Sequence, residues 1–375
     1  MGNRDQTGYI VSLRDSTGYG FAPGGLASYV STVSMSAILP AYSPAGSYTI
    51  SPELPDSSAA KSWAQSVKNQ ANGGPILIFI HGFDNTADQL TQKHAILDFA
   101  LLTKFKGKNY CLVSFDWPTK VYLESQDHAI KAGPLLVSTC LQVLLDAGVP
   151  NSQLNILTHS MGALVLQNAL VPFSLPGAKS PPSVNNVLMA EADHFQSAFD
   201  VDYTPPGPTA APFVPPDHPT PNEPQWPSDQ VVAVLVQRCA QLTVYWSGKD
   251  QALKEAPNKD GTERLGRYGL PTDTFTTYLS QCSNVDYTDY YEETYVSLKD
   301  HPIGAETHVW PLMSTKGNPH PPDPPKTAKY PCAPDPHFIQ DVYEVLTGAS
   351  TFTERTLVPK STKNNWTFTT SGKKL

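Results

Sequence analysis

Apolar residues fall into short unbroken runs separated by stretches with helical spacing. Ile76-Leu77-Ile78-Phe79-Ile80 has no polar interruption, and Tyr110-Cys111-Leu112-Val113-Ser114-Phe115 has one small serine. Runs of this length without alternation predict strands covered on both faces. Leu154 to Thr158, Val184 to Ala190 and Ala240 to Trp246 read the same way, and Val285 to Tyr287 is a shorter candidate. Helical patterns lie between them. Thr86 to Lys106 places Leu90, Ala95, Ile96, Phe99 and Leu102 on one side. Tyr122 to Ala147 is a second helix, and Phe338 to Leu346 a later one with Phe338, Val342, Val345 and Leu346 turned to the core. Ser57 to Asn72 also reads as a helix, with serine at its start and Gly73-Gly74 past its end. Ahead of it, only Tyr9 to Leu13 and Tyr48 to Ser51 suggest short strands.

Strand and helix alternate from residue 75 onward. The expected fold is α/β, a mostly parallel central sheet with helices on both faces and right-handed crossovers. Residues 1–72 form a leading segment of strands plus a helix, 73–348 the main domain, and 349–375 a polar tail expected to be loosely held. Two proline-crowded inserts, about 203–227 and 318–336, break the alternation, because proline cannot continue a helix or a central strand. They are too long for ordinary connections. One reading makes them surface decoration. The other makes them a rim or lid over a site, with Phe213, Trp226 and Tyr330 offered to an apolar substrate. No internal repeat is present.

Composition narrows the partners. Of 375 residues, 40% are hydrophobic and 16% charged, with a net charge of −8. This suits a soluble globular chain and disfavours nucleic acid or anionic membrane as general partners. Five cysteines, Cys111, Cys140, Cys239, Cys282 and Cys332, form no CxxC pair and no zinc-like cluster. Cys111 and Cys140 lie in apolar runs and read as buried thiols. Cys282 with Cys332 is a disulfide candidate only for an exported protein. The first ten residues show no secretory signal, and no apolar run approaches the roughly 18 to 20 residues that span a bilayer. The expected location is the cytoplasm.

One turn carries candidate chemistry. Leu154 to Val165 reads as a buried strand, a sharp turn holding Ser160, and the start of a helix. This is the shape of a nucleophile elbow, in which small flanking residues let the serine stand above the sheet edge. Gly162 meets that demand, whereas Thr158 occupies a place usually held by glycine. A helix N-cap serine is the plainer alternative.

A serine hydroxyl needs a base to take its proton and a carboxylate to orient that base. The order Ser, acid, His along the chain leads to an acid after Ser160 and then a histidine. Asp250 is favoured as acid because it follows a strand through the short turn Ser247-Gly248-Lys249, with Asp193 and Asp286 as rivals. Asp250 is also placed to cap the helix from Gln251 to Glu255. His308 is favoured as base, with His301 second; His81 and His159 precede the required order and are expected to shape their turns. The backbone N–H groups of Phe83 and Met161 are the expected oxyanion donors, and Trp117 joins Phe213 and Trp226 as a candidate substrate contact.

These residues resemble the α/β-hydrolases, and more closely a bacterial branch of that superfamily whose members are annotated only as hydrolases of unknown function. The likeness lies in Ile78-Phe79-Ile80-His81-Gly82-Phe83, Ser114-Phe115-Asp116-Trp117-Pro118, Thr158-His159-Ser160-Met161-Gly162, Trp246 to Leu253 and Thr307-His308-Val309-Trp310. It covers about residues 75 to 346. It implies the α/β-hydrolase fold, Ser160 as nucleophile, Asp250 as acid and His308 as base. The sequence departs from the pattern at Thr158, in lacking a glycine before His308, and in both inserts.

The expected activity is cleavage of a small or lipid-like carboxylic ester through an acyl-enzyme. The same triad would serve an acyltransferase, thioesterase or amidase, and a non-catalytic binding protein on this fold is the remaining alternative. No HExxH or His-x-His cluster points to a metal, and no cofactor is expected.

Overall fold

The computed structural model describes residues 8–32, 48, 50–170, 182–194, 196, 199, 231–255, 263–278, 280–289, 308, 334–357 and 365–368. Among these, the strands in chain order are β1 (Gly8–Ser12), β2 (Ser28–Thr32), β3 (Ile76–Ile80), β4 (Cys111–Asp116), β5 (Leu154–His159), β6 (Val184–Ala190), β7 (Cys239–Trp246), β8 (Cys282–Asp286), β9 (Arg355–Leu357) and β10 (Asn365–Phe368). The helices are α1 (Ser58–Ala71), α2 (Ala87–Phe105), α3 (Tyr122–Leu136), α4 (Gln142–Asp146), α5 (Gly162–Leu170), α6 (Val231–Arg238), α7 (Gln251–Glu255), α8 (Leu265–Tyr268), α9 (Thr272–Thr277) and α10 (Pro336–Leu346).

All the strands belong to one sheet of order β2-β1-β4-β3-β5-β6-β7-β8-β10-β9. Every pairing from β1 to β10 is parallel, and the outermost strands β2 and β9 are antiparallel to their neighbours. The expected mostly parallel α/β sheet is therefore the fold. Alternation along the strands splits the core. Ile76, Ile78 and Ile80 pack on one face with residues of α1, α3, α5 and α6. Leu77 and Phe79 pack on the other with residues of α2 and α10.

Local signals set the helix ends. The Ser57 side chain accepts from Ala60 N–H and caps α1, and Asn72 closes it in the left-handed region at φ 40°. Thr86 and Gln89 form a capping box at the start of α2. The stretch Tyr122–Asp146 is continuous, with a π turn at Val137–Leu141 just after Pro134, whose missing N–H cannot complete an ordinary helical turn. By length and composition alone this stretch meets the requirement for a membrane span, which differs from the expectation that no apolar run approaches one. Small and hydroxyl residues break its apolar runs without making it hydrophilic. It packs here as a core helix: a Cβ on Gly133 would come within 2.5 Å of the Asn168 backbone, so α3 and α5 touch at backbone distance.

Three further expectations change. Phe99 is exposed, not core-facing; the buried side of α2 carries Leu90, Leu97, Leu101 and Phe105. Tyr48 and Ile50 belong to no strand, although the Tyr48 ring is buried. The tail expected to be loosely held supplies β9 and β10, with Phe368 in the core and Arg355 paired to the buried Asp341 at 2.6 Å. Cys282 is a buried free thiol on β8, as are Cys111, Cys140 and Cys239 at their own positions, while Cys332 lies outside the described residues.

Candidate active site

The strand-to-helix turn after β5 is tight. Ser160 has φ 55°, the left-handed region that residues with a side chain seldom adopt. Its N–H donates to Ala190 O at 3.1 Å, and its carbonyl accepts from Ala163 N–H at 3.0 Å as α5 begins. Two glycines make the approach possible. A Cβ on Gly162 would stand 2.4 Å from Ile80 O, and one on Gly82 would stand 2.6 Å from Ser160 Cβ. Thr158 is accommodated as a buried residue of β5, its hydroxyl without a hydrogen-bond partner among the described residues.

Three distant segments meet above this turn. His308 Nε2 lies 2.8 Å from Ser160 Oγ, and His308 Nδ1 lies 2.8 Å from Asp250 Oδ2. Asp250 is fully buried, and its other oxygen accepts from Leu253 N–H at 2.8 Å. It therefore caps α7 and faces the imidazole at once. The acceptor at Nδ1 assigns the Nδ1–H tautomer, which leaves Nε2 free to accept the serine proton. Burial alone would lower the His308 pKa, but the charge and hydrogen bond of Asp250 outweigh it and raise it above the ordinary imidazole value.

The rivals are engaged elsewhere. Asp193 is paired with Arg264 Nε at 2.7 Å and accepts from Tyr122 OH at 2.8 Å. Asp286 accepts from Thr288 N–H at 2.9 Å. His301 lies outside the described residues, as do Phe213, Trp226 and Tyr330. Trp117 departs from the expected substrate contact. It is wholly buried, stacked on His81, with its indole N–H donated to His81 O at 2.9 Å. These contacts make it a support for the loop after β3 and not part of a surface.

His159, expected to shape its turn, also reaches the backbone of His308, and with Glu191 it forms buried contacts that the sequence did not announce. His159 Nε2 donates to the His308 carbonyl at 2.8 Å and lies 3.5 Å from Glu191 Oε2. Burial and the neighbouring His308 depress the His159 pKa, so its imidazole is neutral. Glu191 follows β6 at φ 49°, its carboxyl bonded to the Tyr287 hydroxyl. Burial and the Asp250 charge push its pKa well above the usual carboxylate range, which favours the neutral acid. His159, Glu191 and His308 offer ligand atoms within 4.8 Å of one another. Both His308 nitrogens are committed to Asp250 and Ser160, and His159 Nε2 to the His308 carbonyl, so the grouping fits a hydrogen-bond network better than a metal's donor set.

Phe83 follows Gly82, which abuts Ser160, and Met161 follows Ser160 itself; among the described residues neither N–H is donated to a protein acceptor. Met161 precedes α5, where unpaired N–H groups and the helix dipole favour negative charge.

Residues 56–287, well over half of the chain, match the profile of the family described as "Alpha/beta hydrolase of unknown function (DUF900)". That span holds Ser160 and Asp250, but neither β1 nor His308. No curated protein matches the chain. A solved structure entitled "Crystal structure of esterase PE8" aligns at 10% identity over 61% of this chain and 94% of that one, with a TM-score of 0.32, too low to support an argument. The family match and the parallel sheet agree: the chain belongs to the α/β hydrolase family DUF900, whose function is unknown.

Proposed function

We propose that the protein is a serine hydrolase that cleaves carboxylic esters through an acyl-enzyme intermediate. Ser160 is the nucleophile, His308 the general base and Asp250 the orienting acid. The reading rests on the unbroken hydrogen-bond chain from Ser160 Oγ through His308 to Asp250, each link 2.8 Å. Ser160 Oγ attacks the ester carbonyl as its proton passes to His308 Nε2. The imidazolium is stabilised by Asp250, and the developing oxyanion by the Phe83 and Met161 amides. As the C–O bond to the leaving group breaks, His308 returns the proton to the departing alcohol. Water then attacks the acyl-serine, gives its proton to His308 and releases the acid as Ser160 recovers its own.

The test is turnover of a series of p-nitrophenyl esters beside the matching p-nitroanilides. Ester hydrolysis with little anilide hydrolysis is expected. Ser160→Ala is expected to lower kcat by about 10⁴-fold or more. Faster anilide cleavage would make the enzyme an amidase, and a Ser160→Ala variant with undiminished turnover would remove Ser160 from the chemistry.

A further inference from the structure

The loop between β3 and α2 is held by side chains that a serine-histidine-aspartate triad does not use. The Gly82 carbonyl accepts two hydrogen bonds, from His81 Nδ1 at 2.8 Å and from Asn85 Nδ2 at 2.8 Å. The second hydrogen of the same Asn85 amide goes to Phe83 O, also at 2.8 Å. Both hydrogens of that amide are thereby used on two successive carbonyls.

Asn85 is itself immobilised. It is buried, and its Oδ1 accepts from Lys93 Nζ. Its carbonyl accepts from Arg14 Nη2 at 2.7 Å and from Thr119 Oγ1 at 3.2 Å, and its N–H donates to Thr119 Oγ1 at 3.1 Å. Asp84, just before it, turns the chain at φ 55°.

A trans peptide points its C=O and N–H in opposite directions, and the described residues contain no cis peptide. Pinning the Gly82 carbonyl therefore fixes the direction of the Phe83 N–H. Gly82 abuts Ser160, since a Cβ there would stand 3.1 Å from Ser160 Oγ. We infer that Asn85 is a positioning residue for the oxyanion: its side-chain amide holds the Gly82–Phe83 peptide so that the Phe83 N–H faces the carbonyl oxygen as Ser160 attacks. The inference rests on the proposed acyl-enzyme chemistry.

Asparagine is needed because both of its contacts within the loop are donations. Aspartate has the same shape and still suits Lys93, but it presents lone pairs to two carbonyls. A whole oxyanion donor is worth roughly 10²- to 10³-fold in kcat. A misdirected donor is expected to lose a part of that, about 10- to 100-fold.

The experiment compares wild type, Asn85→Asp and Asn85→Ala, each normalised by fluorophosphonate titration of competent serine. Three quantities are read with one acyl chain: kcat and KM for a p-nitrophenyl ester, and Ki for the matching trifluoromethyl ketone, whose hemiketal oxyanion occupies the same place. The expected result is a fall in kcat with KM nearly unchanged and a parallel loss of ketone affinity, larger for Asn85→Asp. A merely structural role would lower the titratable fraction and leave the ketone affinity of the competent remainder intact. That outcome in either variant overturns the inference. Asn85→Ala carries the test if the aspartate variant does not fold. Failure of the wild type to be labelled or to turn over ester would instead refute the proposed function, and is read before any variant.

Discussion

Ser160 combines a strained backbone with a 2.8 Å hydrogen bond to His308, and neither is useful without the neighbours that impose it. Its φ of 55° goes with two glycines, Gly82 and Gly162, where a side chain would collide with Ser160 itself or with the backbone at the end of β3. These glycines and the serine were readable from the sequence, since each has a steric reason tied to a strand-to-helix turn. Asp250 and His308 were readable from their order along the chain. Glu191 and the contact of His159 with the His308 backbone were not, because nothing in a linear sequence says that the residue after β6 faces the residue before the serine. Trp117 was misjudged for a related reason: an aromatic residue beyond a strand end looks like a pocket wall until its indole is seen to be spent on His81 O.

The Asp250–His308 link makes a pH prediction at this scale. The base must be neutral to accept the serine proton, and its pKa is raised in the folded protein. The acid limb of kcat/KM is therefore expected above the ordinary imidazole value of about 6.5, with activity rising as pH climbs through it. Asp250→Asn removes the charge that favours the imidazolium, so the limb is expected to move to lower pH while kcat falls by several orders of magnitude. A pH–rate profile of both proteins checks this; a limb that does not move would mean that another group sets it.

Among elements, the join of β1 to β4 bears most directly on the site. Ser12 and Arg14 leave the end of β1 and close on Asp116 at the end of β4, with Arg14 Nε 2.8 Å from Asp116 Oδ2 and Ser12 Oγ at the same distance. Tyr48 OH bonds the same carboxylate, and Arg14 Nη2 runs on to Asn85 O and Trp117 O. A strand outside the family-matched span thus braces the loop that carries Phe83. Burial alone would raise the Asp116 pKa, but the Arg14 charge and the His81 contact outweigh it and hold it below the usual carboxylate range. A lowered pKa means that this contribution to stability is present above about pH 4 and is lost as pH falls from there.

Arg14→Met leaves the Asp116 charge buried and unpaired. It is expected to destabilise the fold by about 3–5 kcal/mol at neutral pH. The gap from wild type should narrow as pH falls from 7 towards 4, because without Arg14 burial favours the protonated Asp116 carboxyl and the variant takes up that proton at a higher pH than wild type does. Urea unfolding at pH 7 and pH 4 measures both, and equal stabilities at pH 7 would show the pair to be dispensable. The periodicity announced β1 as a strand, but not its partner: a five-residue run carries no information about which edge it joins. The short strands β9 and β10 were hidden for a different reason. Their buried members, Arg355 and Phe368, are set among polar residues, and the ion pair that makes Arg355 a core residue depends on Asp341 of α10.

Across the whole molecule, one sheet brings together residues from three far-separated parts of the sequence. Parallel register places the ends of β3, β4, β5, β6 and β7 along one edge, where the loops that follow carry Phe83, Trp117, Ser160, Glu191 and Asp250. This is where ligands bind in open α/β sheets. The architecture was legible because continuous apolar runs, alternating with helical spacing, have few ways to pack other than as a covered parallel sheet. The candidate site was legible as a set of residues but not as a surface. Phe213 and Trp226, expected as part of a rim, lie outside the described residues.

Ser160, activated by His308 and Asp250, is proposed to attack an acyl carbon and to carry the acyl group. The most direct measurement is intact-protein mass followed by peptide mapping after brief mixing with a slowly deacylated p-nitrophenyl ester. One acyl adduct per chain is expected, located on Ser160, formed with a stoichiometric burst of p-nitrophenol and absent in Ser160→Ala. Catalytic turnover with no adduct under these conditions, or an adduct on another residue that persists in Ser160→Ala, would contradict it.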